Sequence, residues 1–192
     1  MELRHLAVAW LVAASLMGAA AAEETILARV ETFLKSDSWR YEPVEGAPAL
    51  RMRYEGQQGT WTVLVYARES LRQLSFYSVL PEPVPGDRLP AAAEYLHRAN
   101  FGLALGCFEL EYGSGRVRFR TSVDLEGGRL GDRQIRNYLY ANVLTCDRYL
   151  QGLEAVVDES REPAEAIEMI EAVEAAEAPE APDEEEGETG TP

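Results

Sequence analysis

Residues 106–125, GCFELEYGSGRVRFRTSVDL, leave the chain few options. Phe108, Leu110 and Tyr112 alternate with Glu109 and Glu111 ahead of a Gly-Ser-Gly. Behind it, Val117, Phe119, Thr121 and Val123 alternate with Arg116, Arg118 and Arg120. Period-two alternation on both sides of a glycine turn predicts a β-hairpin with one buried and one wet face. Apolar residues must stand opposite apolar ones, and that leaves two registers. A Ser114-Gly115 loop pairs Glu111 with Arg118 and Glu109 with Arg120. A Gly113-Ser114 loop pairs Glu111 with Arg116 and Glu109 with Arg118. A three-residue loop would set Glu111 against Val117 and break the parity. In either register acids face bases, each pair worth about 0.2–1 kcal/mol. The charges therefore read as a register lock. As an acid/base pair they are poorly placed, because flanking cations hold both carboxylates ionised.

Around the hairpin the periodicity alternates between two and three-to-four. Ile26, Leu27, Val30, Phe33 and Leu34 fall at helical spacing. Strands follow. The first begins at Trp39 and meets Pro43, which marks an edge or an end. The second alternates Leu50, Met52 and Tyr54 with Arg51 and Arg53. TWTVLVYA, residues 60–67, is apolar on both parities, which marks the central strand. The fourth carries Leu74, Phe76 and Leu80 on one side. After the stiff PEPVPGD, Pro90 opens a second helix, with Ala92, Ala93, Leu96, Ala99, Asn100 and Leu103 as its buried stripe. After the hairpin, a long helix from Asp132 to about Val157 repeats Ile135, Leu139, Val143, Cys146, Leu150, Leu153 and Val157. The order α-β-β-β(-β)-α-β-β-α predicts an α+β fold, an antiparallel sheet with helices packed on one face.

The net charge of −15 sits almost entirely at one end. Residues 158–192 hold 14 acids and one base, Arg161, which gives −13 and leaves −2 for residues 1–157. Neither part offers the basic surface that non-specific nucleic-acid binding needs. Within 158–178 a glutamate recurs every three residues. That stripe drifts around a helix of 3.6 residues per turn, so Pro163 opens at most a short helix using Ile167, Ile170 and Val173. Residues 179–192, PEAPDEEEGETGTP, are expected to be disordered. At the other end, residues 1–22 combine Arg4, an apolar run over 6–17 and Ala20-Ala21-Ala22. This is the form of a signal peptide cleaved near Ala22, implying an exported or periplasmic protein with no membrane span once the leader is removed. A start at Met17 would instead give a cytoplasmic chain.

Few side chains offer chemistry. Cys107 and Cys146 are the only cysteines, and an exported chain could join them. Parity, however, points Cys107 away from the core face while Cys146 lies on the buried stripe of the long helix. Two unpaired small hydrophobes are the expectation. His97 is the single histidine outside the leader, with no second His or Cys at helical spacing, so it supports neither a metal site nor a Cys–His nucleophile. No catalytic, cofactor-binding or metal-binding residue is assigned, and no cofactor is expected.

The run ANFGLALGCFELEYGSGRVRFRTSVDLEGGRL followed by IRNYLYANVLTCDRYLQGLEAVV resembles the YbjN family of bacterial proteins. Asn100, Leu105-Gly106, Gly127-Gly128, Asp147 and Tyr149 carry the resemblance. VETFLKSDSWRYEPVEG and EPAEAI extend it to about residues 24–177. The resemblance implies a fold like that of class I type III secretion chaperones and a role in regulating sensory transduction, without catalytic residues. It points to a non-enzymatic, chaperone-like protein-binding module, a homodimer whose partner is another protein. An exported envelope or small-ligand-binding protein is the alternative. The leader and the acidic tail depart from the family's usual pattern.

Overall fold

The computed structural model describes residues 24–177, with side chains as far as Ala172. The expected leader and the expected disordered tail lie outside the described residues. Helix α1 (Ile26–Ser36) opens the fold. Its first amides are satisfied from two sides: Thr25 Oγ1 accepts from Ala28 N, and the distant Glu69 carboxylate accepts from Ile26 N and Leu27 N, each at 3.0 Å. A carboxylate at a helix N-terminus also meets the positive end of the helix dipole.

A meander follows: β1 (Glu42–Pro43), β2 (Ala49–Glu55), β3 (Thr60–Arg68) and β4 (Gln73–Val79). Helix α2 (Leu89–Gly102) crosses to the hairpin β5 (Cys107–Glu111) and β6 (Arg116–Asp124). The hairpin joins the sheet through β6, giving one antiparallel sheet in the order β1-β2-β3-β4-β6-β5. The α+β expectation is met, and β3 is central as its composition implied. β1 is only two residues long and lies at the edge, where Pro43 costs no ladder bond.

The hairpin takes the second of its two expected registers, with Glu111 opposite Arg116 and Glu109 opposite Arg118. Its loop is four residues, 112–115, rather than two. The Glu111 carbonyl accepts from Gly115 N at 2.8 Å, and Gly115 adopts φ +72°. The cause lies outside the hairpin. The 80–84 strap runs alongside β6, with Leu80 N donating to Val117 O and Val84 N to Gly115 O at 2.8 Å. A Cβ at Gly115 would collide with the Val84 carbonyl.

One face of the sheet is closed. Leu50, Val63, Val65, Leu74, Phe76 and Phe119 are fully buried against α1 and the long α3 (Asp132–Val157). Each such side chain contributes about 1.5–3 kcal/mol on burial. Helix α3 buries two stripes where the sequence showed one, because α2 and α4 (Pro163–Glu177) pack on its other side. Tyr95, absent from the expected stripe of α2, is fully buried, and its hydroxyl donates to Tyr149 O at 2.8 Å. The packed body continues past Val157 into α4, where Ala166, Ile167 and Ile170 are buried. Among the described residues no helix is long and apolar enough to cross a membrane.

Candidate functional site: the open face of the sheet

The second parity of β3 does not meet a second layer. Trp61, Val63, Val65 and Ala67 are buried, while Thr62, Leu64 and Tyr66 between them are only half-buried. Cross-strand register carries this pattern outward. Leu64 stands opposite Arg51 on β2 and Tyr77 on β4, and Tyr77 stands opposite Arg120 on β6. Thr62 stands opposite Arg53 and Val79, and Val79 opposite Arg118. The open face is thus an apolar and aromatic band between two arginine columns.

Three depressions join along it. The largest, about 760 Å³, is lined among others by Arg40, Arg51, Arg53, Thr62, Val79 and Arg116. Val79 and Arg116 also line a second of about 460 Å³ that holds Leu64 and Leu110. Glu109 and Arg118 pass from the second into a third of about 460 Å³ with Tyr77 and Ser75. Together they form a shallow trough from the β1 edge to the hairpin.

The hairpin charges lie on this face and are neutralised there. Arg120 Nε reaches Glu109 at 2.7 Å, Arg118 Nε bonds the same carboxylate, and the Arg118 guanidinium sits 4.6 Å from the centre of the Tyr77 ring. Partial burial alone would raise the Glu109 carboxyl, but hydrogen bonds from Arg120 and Arg118 outweigh it and hold the group below the usual carboxylate range. The Ser114 hydroxyl and then Arg116 do the same for Glu111. Both carboxylates stay ionised, so they form a register lock with no proton to give.

The two cysteines are free and lie on opposite sides of the sheet. Cys107 is half-buried on the open face, its Sγ 3.4 Å from Arg120 Nη2. Cys146 is fully buried beneath the closed face beside Ser78, and burial pushes its thiol up to about 12. His97 is exposed on α2. Among the described residues no three His, Cys, Asp or Glu side chains gather as metal ligands.

The residues that carried the family resemblance prove to be joints. Asp147, buried on α3, accepts from Gln57 N and Gln58 N at 2.8 Å each and clamps the β2–β3 turn to the helix layer. Asn100 imitates a strand residue: its Oδ1 accepts from Phe108 N at 2.7 Å and its Nδ2 donates to Phe108 O at 3.1 Å. Asn142, which the sequence did not single out, is fully buried. It donates to Phe76 O and Phe119 O and accepts from Ser78 Oγ, stitching β4 and β6 to α3.

Residues 27–155 match the YbjN family, described as "Putative bacterial sensory transduction regulator". Among solved structures the chain is similar to the crystal structure of YbjN from E. coli, titled a "putative transcription regulator". The identity is 15%, the TM-score 0.51, and the match covers 69% of this chain and 93% of that one. It is also similar to the structure of the HopA1–SchA chaperone–effector complex, at 17% identity and TM-score 0.39, over 61% of this chain and 85% of that one. No curated protein sequence matches the chain. The match runs from the first turn of α1 almost to the end of α3, through the meander, the clamp and the hairpin, and on that extent the chain belongs to the YbjN family.

Proposed function

We propose that this chain is a non-enzymatic, chaperone-like protein-binding module acting as a homodimer, with the trough on the open face as the surface that holds the partner. The observation that carries this reading is the half-exposed band of Leu64, Tyr66, Tyr77 and Val79 inside an arginine rim, on strands whose other face is closed. Apolar surface supplies affinity, and the rim orients a segment that brings both acidic and apolar groups. The family's description as a regulator supports a protein partner, and the paired, ionised carboxylates of the hairpin leave the face without an acid/base pair.

The test is photo-crosslinking. A photoreactive residue placed at Tyr66 is expected to trap a defined second protein in the native host. The same group at Glu94, exposed on α2, is expected not to. Equal labelling from both positions defeats the reading. Light scattering that shows a strict monomer removes the dimer. Export is part of the same proposal and rests on the leader; a mature N-terminus near Glu23 supports it, and one at Met17 or Gly18 refutes it.

A further inference from the structure

Resting on that reading of the open face, we infer that the partner's bound segment continues past the end of the sheet and seats a basic residue, flanked by apolar ones, in a groove against α3. This groove holds about 510 Å³. Leu150, Leu153 and Val157 of α3 form one wall, and Leu80, Pro81 and Val84 of the strap form the other. Thr60, Leu80 and Pro81 also line the β1 end of the trough, so the two depressions are continuous. A polypeptide can run from one into the other.

Both walls are built before anything binds. In the strap, Pro81 and Pro83 fix the backbone, and the amides of Leu80 and Val84 donate to Val117 O and Gly115 O. The β2–β3 turn closes onto α3 at Gly59, where a Cβ would come within 2.9 Å of Leu150 Cδ2. A preformed apolar groove spares its ligand the cost of ordering it.

Charge selects the occupant. The charged residues of the lining are Glu82, Glu154 and Asp158, with no base beside them among the described residues. Glu82 and Glu154 are exposed and make no hydrogen bond or ion pair within the described residues. Asp158 accepts from Ser160 N at 2.9 Å, a neutral donor. Arg88 is engaged elsewhere, donating to Val156 O and pairing with Glu159. Glu154 and Asp158 also stand at the C-terminal end of α3, the negative end of its dipole, and its last turn holds no base. Burial, then repulsion from Asp158, hold the Glu154 carboxyl above its ordinary range. Two acids that oppose the helix and each other destabilise the free protein, and an incoming Lys or Arg relieves both conflicts. An acidic segment would add to them. Apolar side chains on either side of the base then cover Leu153 and Val157.

The test uses the full chain, isotope-labelled for amide NMR, and three acetylated, amidated peptides: SLKLKLS, SLELELS and SGKGKGS. SLKLKLS is expected to shift Gly59, Leu153, Glu154 and Val157, binding severalfold more tightly than either other peptide. No shift there overturns the inference. Equal shifts from SLELELS overturn it because the acids then select nothing, and equal shifts from SGKGKGS because the apolar walls are then idle. Matching shifts from butylamine would make the occupant a small cation, and groove signals that move on dilution alone would give the groove to a second copy; either overturns it. Glu154→Lys, at an exposed position, is expected to shrink the preference for SLKLKLS over SLELELS severalfold and to unfold at the same or higher urea concentration. A preference left intact, or a lower urea midpoint, overturns the inference. The photoreactive residue at Tyr66 separates it from the binding reading. Partner capture falling severalfold in the Glu154→Lys chain supports the continuous segment. Capture unchanged overturns it and leaves the open face as the partner surface. No capture from either chain removes the binding reading and with it the continuous segment, even where the peptides still fill the groove.

Discussion

The two faces of β3 differ by one residue in sequence and by nearly everything in circumstance. Val63 and Val65 are fully buried on closely packed helices, whereas Leu64 and Tyr66, pointing the other way, remain half-exposed in a shallow trough. The closed face holds its apolar residues because folding requires them. The open face holds apolar residues that folding does not require. That surplus is the observation on which the proposed binding surface rests.

Substitutions on the two faces test this contrast. The largest effect belongs to Phe119→Ala on the closed face, where a fully buried ring packed 4.7 Å from Phe108 is lost. A loss of about 3–5 kcal/mol is expected in urea unfolding. Leu64→Ala, two strands away on the open face, should cost under about 1 kcal/mol. Similar losses at the two sites would erase the distinction between the faces.

Asn142→Ala comes next. It strips donors from Phe76 O and Phe119 O and an acceptor from Ser78, for an expected loss of about 2–3 kcal/mol by the same measurement. Glu69→Ala opens the first two amides of α1 and should cost about 1 kcal/mol, with faster hydrogen exchange confined to that helix.

The smallest effect on stability is titrational and belongs to the open face. The Glu109 carboxyl is held below its ordinary value, so its contribution is complete above the unfolded carboxylate range, about pH 4.3. It is lost as pH falls through the lower folded value. Glu109→Gln is therefore expected to flatten the acid limb of stability against pH and leave the neutral region nearly unchanged. A thiol titration probes both faces at once. At pH 8 the buried Cys146, with its thiol pushed up to about 12, should react with a disulfide reagent only when the protein unfolds. Reaction of Cys146 in the folded protein at the rate of a free thiol would show that the closed face is not closed.

The local elements were legible in the residues. Parity reduced the hairpin to two registers, one of which is observed, and periodicity placed the long helix at the bounds it has. What escaped were joints between distant segments. Glu69 caps a helix 43 residues upstream, and Asp147 holds a turn 90 residues away. Neither spacing leaves a periodic trace. Gly152, in the middle of α3, was one available signal. A glycine there marks a close approach, and the Tyr95 ring occupies the space its Cβ would take. The open face was legible in part. The doubled apolar parity of TWTVLVYA placed β3 correctly at the centre of the sheet, but the arginines alternating on both flanks were the sign that its second face is wet.

Asn100 has a consequence beyond the joint it makes. By occupying the amide and carbonyl of Phe108, it leaves Leu110 as the outward-facing backbone pair of β5, and the opposite margin is the two-residue β1 with its proline. Each margin of the described sheet is therefore a short template for a further strand. Stacking into a growing ribbon by backbone pairing is therefore disfavoured at both margins of the described sheet.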